Sequence, residues 1–155
     1  MKKYFITSDT HGFFTILKNS LKEKGFDIKN PDHYLIICGD LFDRGPEAVK
    51  MLKFVKRLKD RFIYIRGNHE DLFKDCLYQM ETGLSVSSHH YSNKTVDTIN
   101  QFLHNKYGEY YNEIKYEAFK HYIESGYQDR RELDYFFKPL HRIENWIDKK
   151  KCRLF

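Results

Sequence analysis

The sequence predicts an α/β protein, built as a parallel β-α-β-α-β unit followed by a mainly helical C-terminal region. Three observations predict it. Three short apolar runs, Tyr4 to Ile6, Tyr34 to Cys38 and Phe62 to Ile65, each end in a polar, glycine-containing knot. The segments after the knots carry apolar residues at helical spacing, and such alternation favours parallel strands joined by right-handed crossovers. From Lys94 onward only helical periodicity continues.

Taken in order, Lys3 to Ser8 reads as the first strand. His11 to about Lys24 reads as a helix with Phe13, Phe14, Leu17 and Leu21 on one face, ended by Gly25. Asn30, Pro31 and Asp32 mark a turn into the second strand, Tyr34 to Cys38. Pro46, at a first helical position, opens a helix to about Lys59 whose buried stripe is Val49, Leu52 and Val55 or Phe54. Arg61 to Ile65 is the third strand and His69 to about Glu81 the third helix. Gly83 to Asn93 reads as a Ser- and His-rich loop. Three further helical stripes follow: Val96, Ile99, Phe102, Leu103; then Tyr111, Ile114, Ala118, Tyr122; then Leu133, Phe136, Phe137, Leu140. One domain over residues 1–155 is expected, with a motif-bearing α/β part at 1–82 and a loop and helical part at 83–155.

With 155 residues, 41% of them hydrophobic and 32% charged, the chain is large enough to bury a core. Lys2 and Lys3 are followed too soon by Thr7, Ser8 and Asp9 for a signal peptide, and no stretch is long enough to span a bilayer, so a cytoplasmic protein is expected. Cys38, Cys76 and Cys152 give neither a disulfide framework nor a zinc knuckle, and Cys38 reads as core. The net charge of +5 is spread along the chain and favours anionic ligands only weakly. Tyr107, Tyr110, Tyr111, Tyr116 and Tyr122 could offer bases a stacking surface, but Tyr111, Ile114, Ala118 and Tyr122 sit at helical spacing, more often core. No nucleic-acid partner is expected.

The chemistry lies in the three knots. Open α/β sheets keep ligand sites at the carboxyl ends of their strands, and the knots occupy those ends. Alone, Asp9 to His11 is an ordinary helix cap, Asp40 and Asp43 cap the helix after Pro46, and Arg44 is a surface charge. Together they bring carboxylates, imidazoles and a guanidinium to one edge, which suits divalent cations and a phosphate.

The strings SDTHG at Ser8 to Gly12, GDLFDRG at Gly39 to Gly45 and GNHED at Gly67 to Asp71 resemble the calcineurin-like metallophosphoesterases, and within them the phosphoprotein phosphatase branch. The resemblance covers roughly the first half of the chain, in family order and at about family spacing. It implies that Asp9 and His11 hold a first metal, that Asp40 bridges to a second, and that Asn68 ligates the second. It implies two divalent ions, manganese, iron or zinc, which turn a water into the hydroxide that attacks a phosphomonoester in line, without a phosphoenzyme. Arg44 then holds the phosphate, and His69 is the general acid with Asp43 fixing its tautomer. Glu70 and Asp71 take supporting places. The implied activity is a serine/threonine phosphatase-like phosphoesterase. Nucleotide phosphohydrolases of the diadenosine tetraphosphate type share the same strings, so the phosphorylated substrate is a phosphoprotein or a nucleotide.

The chain departs from the family pattern in its second half, which ordinarily brings two more histidines, one in a Gly-His pair. No Gly-His pair follows Asp71. His89, His90, His104, His121 and His141 are the residues of the right type, and His89 and His90 sit nearest the site in sequence. Two outcomes follow. A truncated member would expose an apolar sheet face and a strand edge for a partner or oligomer to cover, and would serve as a non-catalytic metal- and phosphate-binding module. A reduced domain would instead pack its helical half over that face.

Overall fold

The computed structural model describes residues 1–150, so Lys151 and Cys152 lie outside the described residues. Three strands, β1 (Lys3–Ser8), β2 (His33–Gly39) and β3 (Phe62–Arg66), form one parallel sheet in the order β1-β2-β3. Tyr4 lies opposite Tyr34, and Ile6 opposite Ile36, which in turn faces Ile63. The strand period of two sorts these residues onto opposite faces. Phe5, Leu35, Ile37, Phe62 and Tyr64 are buried beneath the helices, whereas Tyr4 and Ile6 on the other face stay 50% and 69% exposed.

The helices are α1 (Phe14–Glu23), α2 (Ala48–Arg57), α3 (His69–Thr82), α4 (Ser88–Ser92), α5 (Thr95–Tyr107), α6 (Tyr111–Glu124) and α7 (Arg131–Lys150). Among the described residues the helical half does not close over the open sheet face. It extends the core on the other side: α5 packs on α2, α3 and α7, while α6 pairs with α7. Phe102 meets Phe42 and Phe73 edge-on, and Trp146 stacks on Phe62. The expected stripes hold this layer together, with Ile99, Phe102, Leu103, Tyr111, Ala118, Leu133, Phe136, Phe137 and Leu140 all buried.

Three local expectations need correction. The first helix starts at Phe14, because His11 and Gly12 take left-handed backbone angles (φ 44° and 67°) that no right-handed helix accepts. The second starts at Ala48. Its preceding turn is held to the first loop by Gly45 N–H donating to His11 O (2.8 Å) and Glu47 N–H to Gly12 O (3.1 Å). The segment 83–93 contains the short helix α4, whose His90 is fully buried against α3 and so gives the segment a packed face.

Pro139 stands inside α7 and has no N–H for the Tyr135 carbonyl four residues earlier. The Tyr107 hydroxyl donates to that oxygen (3.1 Å) and to Phe136 O (3.0 Å), so α5 repairs the break in α7.

Glu47 links the first two helices. Its carboxylate accepts from Thr15 N–H and Oγ1–H, both 2.8 Å, satisfying a first-turn amide of α1, and pairs with Lys50 at 2.9 Å. The Lys50 and Thr15 hydrogen bonds lower its pKa from 4.5 to about 2. A carboxyl depressed in the folded state stabilises the fold above its unfolded pKa and loses that contribution as pH falls through the folded value. Glu47→Gln is therefore expected to lower the melting temperature at pH 7, with the gap to the parent protein narrowing as pH falls below about 4 toward 2 in a thermal-melt series.

Candidate functional site

The ends of β1, β2 and β3 deliver the three knots to one edge through backbone contacts between loops. His11 N–H donates to Asp40 O (3.0 Å) and Gly12 N–H to Leu41 O (2.9 Å), which ties the first knot to the second. Glu70, 1% exposed, ties the second to the third: one carboxylate oxygen accepts from Leu41 N–H and the other from Gly67 N–H, each at 3.1 Å. Burial raises the Glu70 carboxyl to about 7, while Tyr64 and the two backbone amides pull the other way. Asp71 instead pairs with Arg66 at 2.5 Å. Glu70 thus braces the junction of the second and third knots, whereas Asp71 lies largely exposed.

Four non-glycine residues here have left-handed backbones: Asp9 (φ 43°), His11 (φ 44°), Asp43 (φ 65°) and Arg44 (φ 58°). Such angles cost energy and are kept where surrounding structure over-determines them. Two glycines make room for the carboxylates. A Cβ on Gly39 would run into the Asp9 carboxylate, and one on Gly67 would run into Asp40 Oδ1 and the Asp40 amide. Gly67→Ala is expected to cost stability by about 1–3 kcal/mol through overpacking and to displace Asp40, readable as a lower denaturation midpoint together with weakened metal binding.

Asp40, buried and 7% exposed, sits at the centre. Its Oδ1 accepts from His69 N–H (3.0 Å), and its Oδ2 faces His11 Nε2 at 3.6 Å and His69 Nε2 at 3.8 Å. The ligand atoms of His11, Asp40 and His69 lie within 4.8 Å of one another. The His11 Nδ1 lies 3.3 Å from Phe42 O; donation there fixes the tautomer with the Nε2 lone pair facing the cluster, as a metal-ligating histidine requires. Asp9 Oδ1 accepts from Asp40 N–H (3.3 Å), which sets its carboxylate at the same rim. This donor set of carboxylates and imidazole fits a divalent cation. Asn68 is exposed at the start of α3, next to the cluster in sequence, and none of its side-chain hydrogen bonds appears among the described residues.

His69, 4% exposed, is held from the other side. Its Nδ1 lies 3.0 Å from Asp43 Oδ2, and the same oxygen accepts from Thr95 Oγ1–H at 2.7 Å. The Nδ1 proton therefore points at Asp43 and Nε2 points into the site, 3.3 Å from Arg44 Nη2. Arg44 itself is exposed.

Sequence patterns do not reveal two of these supports. Thr95 reads as an ordinary helical threonine, and Gln101, which accepts from Ala48 N–H (2.9 Å) and donates to Gly45 O (3.1 Å), reads as a solvated helical glutamine. Together they fasten α5 to the GDLFDRG turn. The five later histidines go elsewhere. His90 Nε2 lies 3.0 Å and His89 Nε2 3.9 Å from Asp75 Oδ2, His121 pairs with Asp129, His141 with Glu81 and Glu144, and His104 packs on Tyr111. Among the described residues none of the five joins the cluster around Asp40.

Known proteins place this arrangement. The chain is 41% identical over 70 residues to a symmetrical bis(5'-nucleosyl)-tetraphosphatase of Buchnera aphidicola, an alignment covering 45% of this chain and 24% of that protein. It is 36% identical over 74 residues to the asymmetrical bis(5'-nucleosyl)-tetraphosphatase PrpE of Bacillus subtilis, covering 43% and 30%. A protein of the symmetrical type from Wigglesworthia glossinidia brevipalpis is 33% identical over 67 residues, covering 43% and 24%. The matched stretch thus spans under a third of each of these relatives. The profile of the calcineurin-like phosphoesterases, by contrast, matches residues 2–152, nearly the whole sequence. With that match and three strand-end knots converging on Asp40, the chain belongs to the calcineurin-like phosphoesterase family.

Proposed function

We propose that this chain carries the metal- and phosphate-binding centre of a metal-dependent phosphoesterase whose substrate is a nucleoside polyphosphate. The observation that supports it is the convergence of His11, Asp40 and His69 beside the exposed Arg44 fork, in a chain similar to dinucleoside tetraphosphatases. Similarity to nucleotide-cleaving proteins favours this substrate over the phosphoprotein that the motif strings also allow.

Asp9, His11 and Asp40 would hold one divalent cation, and Asp40 and Asn68 would supply ligands to a second. Cations bound there supply Lewis acidity to the phosphoryl oxygens and lower the pKa of a bound water, with manganese, iron and zinc all suited to these ligands. Arg44 donates to His69 Nε2, and its exposed fork would turn to two phosphoryl oxygens of a bound substrate. That frees His69 Nε2 to carry the proton that the leaving oxygen takes up. Asp43, fixed by Thr95, keeps the imidazole aimed.

A second reading, a non-catalytic metal- and phosphate-binding module, is favoured by one observation: the five later histidines lie away from the cluster among the described residues. One purified sample separates the two. Metal content and p-nitrophenyl phosphate hydrolysis are measured with manganese supplied and then chelated. Two metals per chain with chelator-sensitive turnover support the enzyme. One metal without turnover supports the binding module, and no metal at all sinks both.

A further inference from the structure

A groove of about 580 Å³ opens directly from Arg44 along one face of α5. Asp97, Asn100, Gln101 and His104 stand at i, i+3, i+4 and i+7, so they line it in a single row about 10 Å long. Phe13, Pro46 and Lys94 complete its walls. The groove is a fixed feature, because Thr95 and Gln101 bolt α5 to Asp43, Gly45 and Ala48 at the site itself.

Its lining changes character along its length. Near the centre it offers two cations, Arg44 and Lys94, both exposed. Farther along α5 it offers a carboxylate at Asp97 and the exposed imidazole of His104, tilted against Tyr111 with ring centroids 4.0 Å apart, and the ring of Phe13, 40% exposed, also enters its lining. An extended anion alone would have no use for the carboxylate and the rings. A ligand with phosphates at one end and a sugar and base at the other matches the sequence of chemistries: cations meet phosphates, a carboxylate meets hydroxyl or amino donors, and rings meet a π-face.

We infer that this groove is the subsite for the nucleoside end of the substrate, with Arg44 and Lys94 on the phosphates, Asp97 on the sugar or base donors, and Phe13 and His104 on the base. The inference rests on the phosphoesterase reading above and adds where specificity for a nucleoside resides: in α5 and Phe13. A nucleoside 5'-polyphosphate is bound in one direction, phosphates at the metal centre and base at the His104 end.

Binding of ATP and of inorganic tripolyphosphate, each with manganese and measured by calorimetry on the full chain, tests it without requiring turnover. Tripolyphosphate is at least as highly charged, so electrostatics alone makes it the tighter ligand. The groove makes ATP tighter instead, by about fivefold or more, the lower end of what one stacked base contributes. In the double variant Phe13→Ala, His104→Ala that advantage disappears. Both side chains are exposed, and an unchanged melting temperature verifies that the variant is folded. Equal affinities in the parent chain, or an advantage that survives in the variant, overturn the subsite while leaving the phosphoesterase reading intact. A phosphoserine peptide that binds more tightly than ATP and competes with it also overturns the subsite. Failure of both ATP and tripolyphosphate to bind overturns the phosphate-binding centre itself, and the subsite with it.

Discussion

On the proposed phosphoesterase reading, Asp40→Asn is expected to abolish metal-dependent phosphate-ester hydrolysis while leaving the fold in place. The substitution is close to isosteric, and the retained amide oxygen still accepts from His69 N–H, the 3.0 Å bond that seats the start of α3. What it removes is the negative charge facing His11 Nε2 at 3.6 Å and His69 Nε2 at 3.8 Å. A cation held by Asp9, His11 and Asp40 would lose one of its two carboxylates, and a second cation would lose the ligand it shares. Removing even a supporting partner of a metal ligand typically costs 10- to 100-fold in affinity or activity, so loss of the shared carboxylate is expected to exceed about 100-fold. Turnover of p-nitrophenyl phosphate with manganese, metal content by elemental analysis and far-UV circular dichroism read the three consequences on one sample. A folded Asp40→Asn chain that hydrolyses at the parent rate would sink the mechanism.

The residues around Asp40 were legible in the sequence because they are governed by local chemistry. A buried strand ends where glycine and charge appear, and β1 and the start of α3 fall where the apolar runs and Asn68 place them. The helix stripes were legible for the same reason: Leu133, Phe136, Phe137 and Leu140 repeat at the helical period and are all buried. What escaped depends on contacts between segments far apart in the chain. Pro46 looks like a helix opener, yet the tie between Gly45 and His11 pushes the start of α2 to Ala48. His89 and His90 look available to the site, yet α4 turns them toward Asp75, nearly two helical turns along α3 from His69. Thr95 and Gln101 carry no signature at all, since a hydroxyl or amide on a helix face is informative only once the neighbouring loop is known.

The exposed sheet face follows from the same distinction. Alternation along β1 and β2 is apolar on both sides, as in strands covered on both faces, so strand patterning alone does not choose the face that the helical half takes. The aromatic rings of Phe42, Phe73 and Phe102 decide the matter by drawing α5 to the α2 and α3 side. Tyr4 and Ile6 are left facing outward on an edge strand, the arrangement that makes proteins associate or precipitate.

His69→Asn is expected to separate substrates by their leaving groups. The His69 imidazole is aimed by its Nδ1 contact with Asp43, so that Nε2 faces the centre beside Arg44. If Nε2 gives a proton to the departing oxygen, the loss matters only where that oxygen is a poor leaving group. General acid catalysis of this kind contributes about 10²–10⁴-fold, and an alkyl phosphate should lose turnover in that range. The p-nitrophenolate ion spreads its charge over the nitro-substituted ring and departs without a proton, so the same variant should lose far less on p-nitrophenyl phosphate. Metal content should stay at the parent level, since Asp9, His11, Asp40 and Asn68 are untouched. A plot of log kcat against leaving-group pKa reads the difference as a steeper negative slope for the variant. Parallel lines, displaced equally for every substrate, would mean that His69 holds metal or phosphate and donates no proton, and the role of Asp43 would then be to position a ligand.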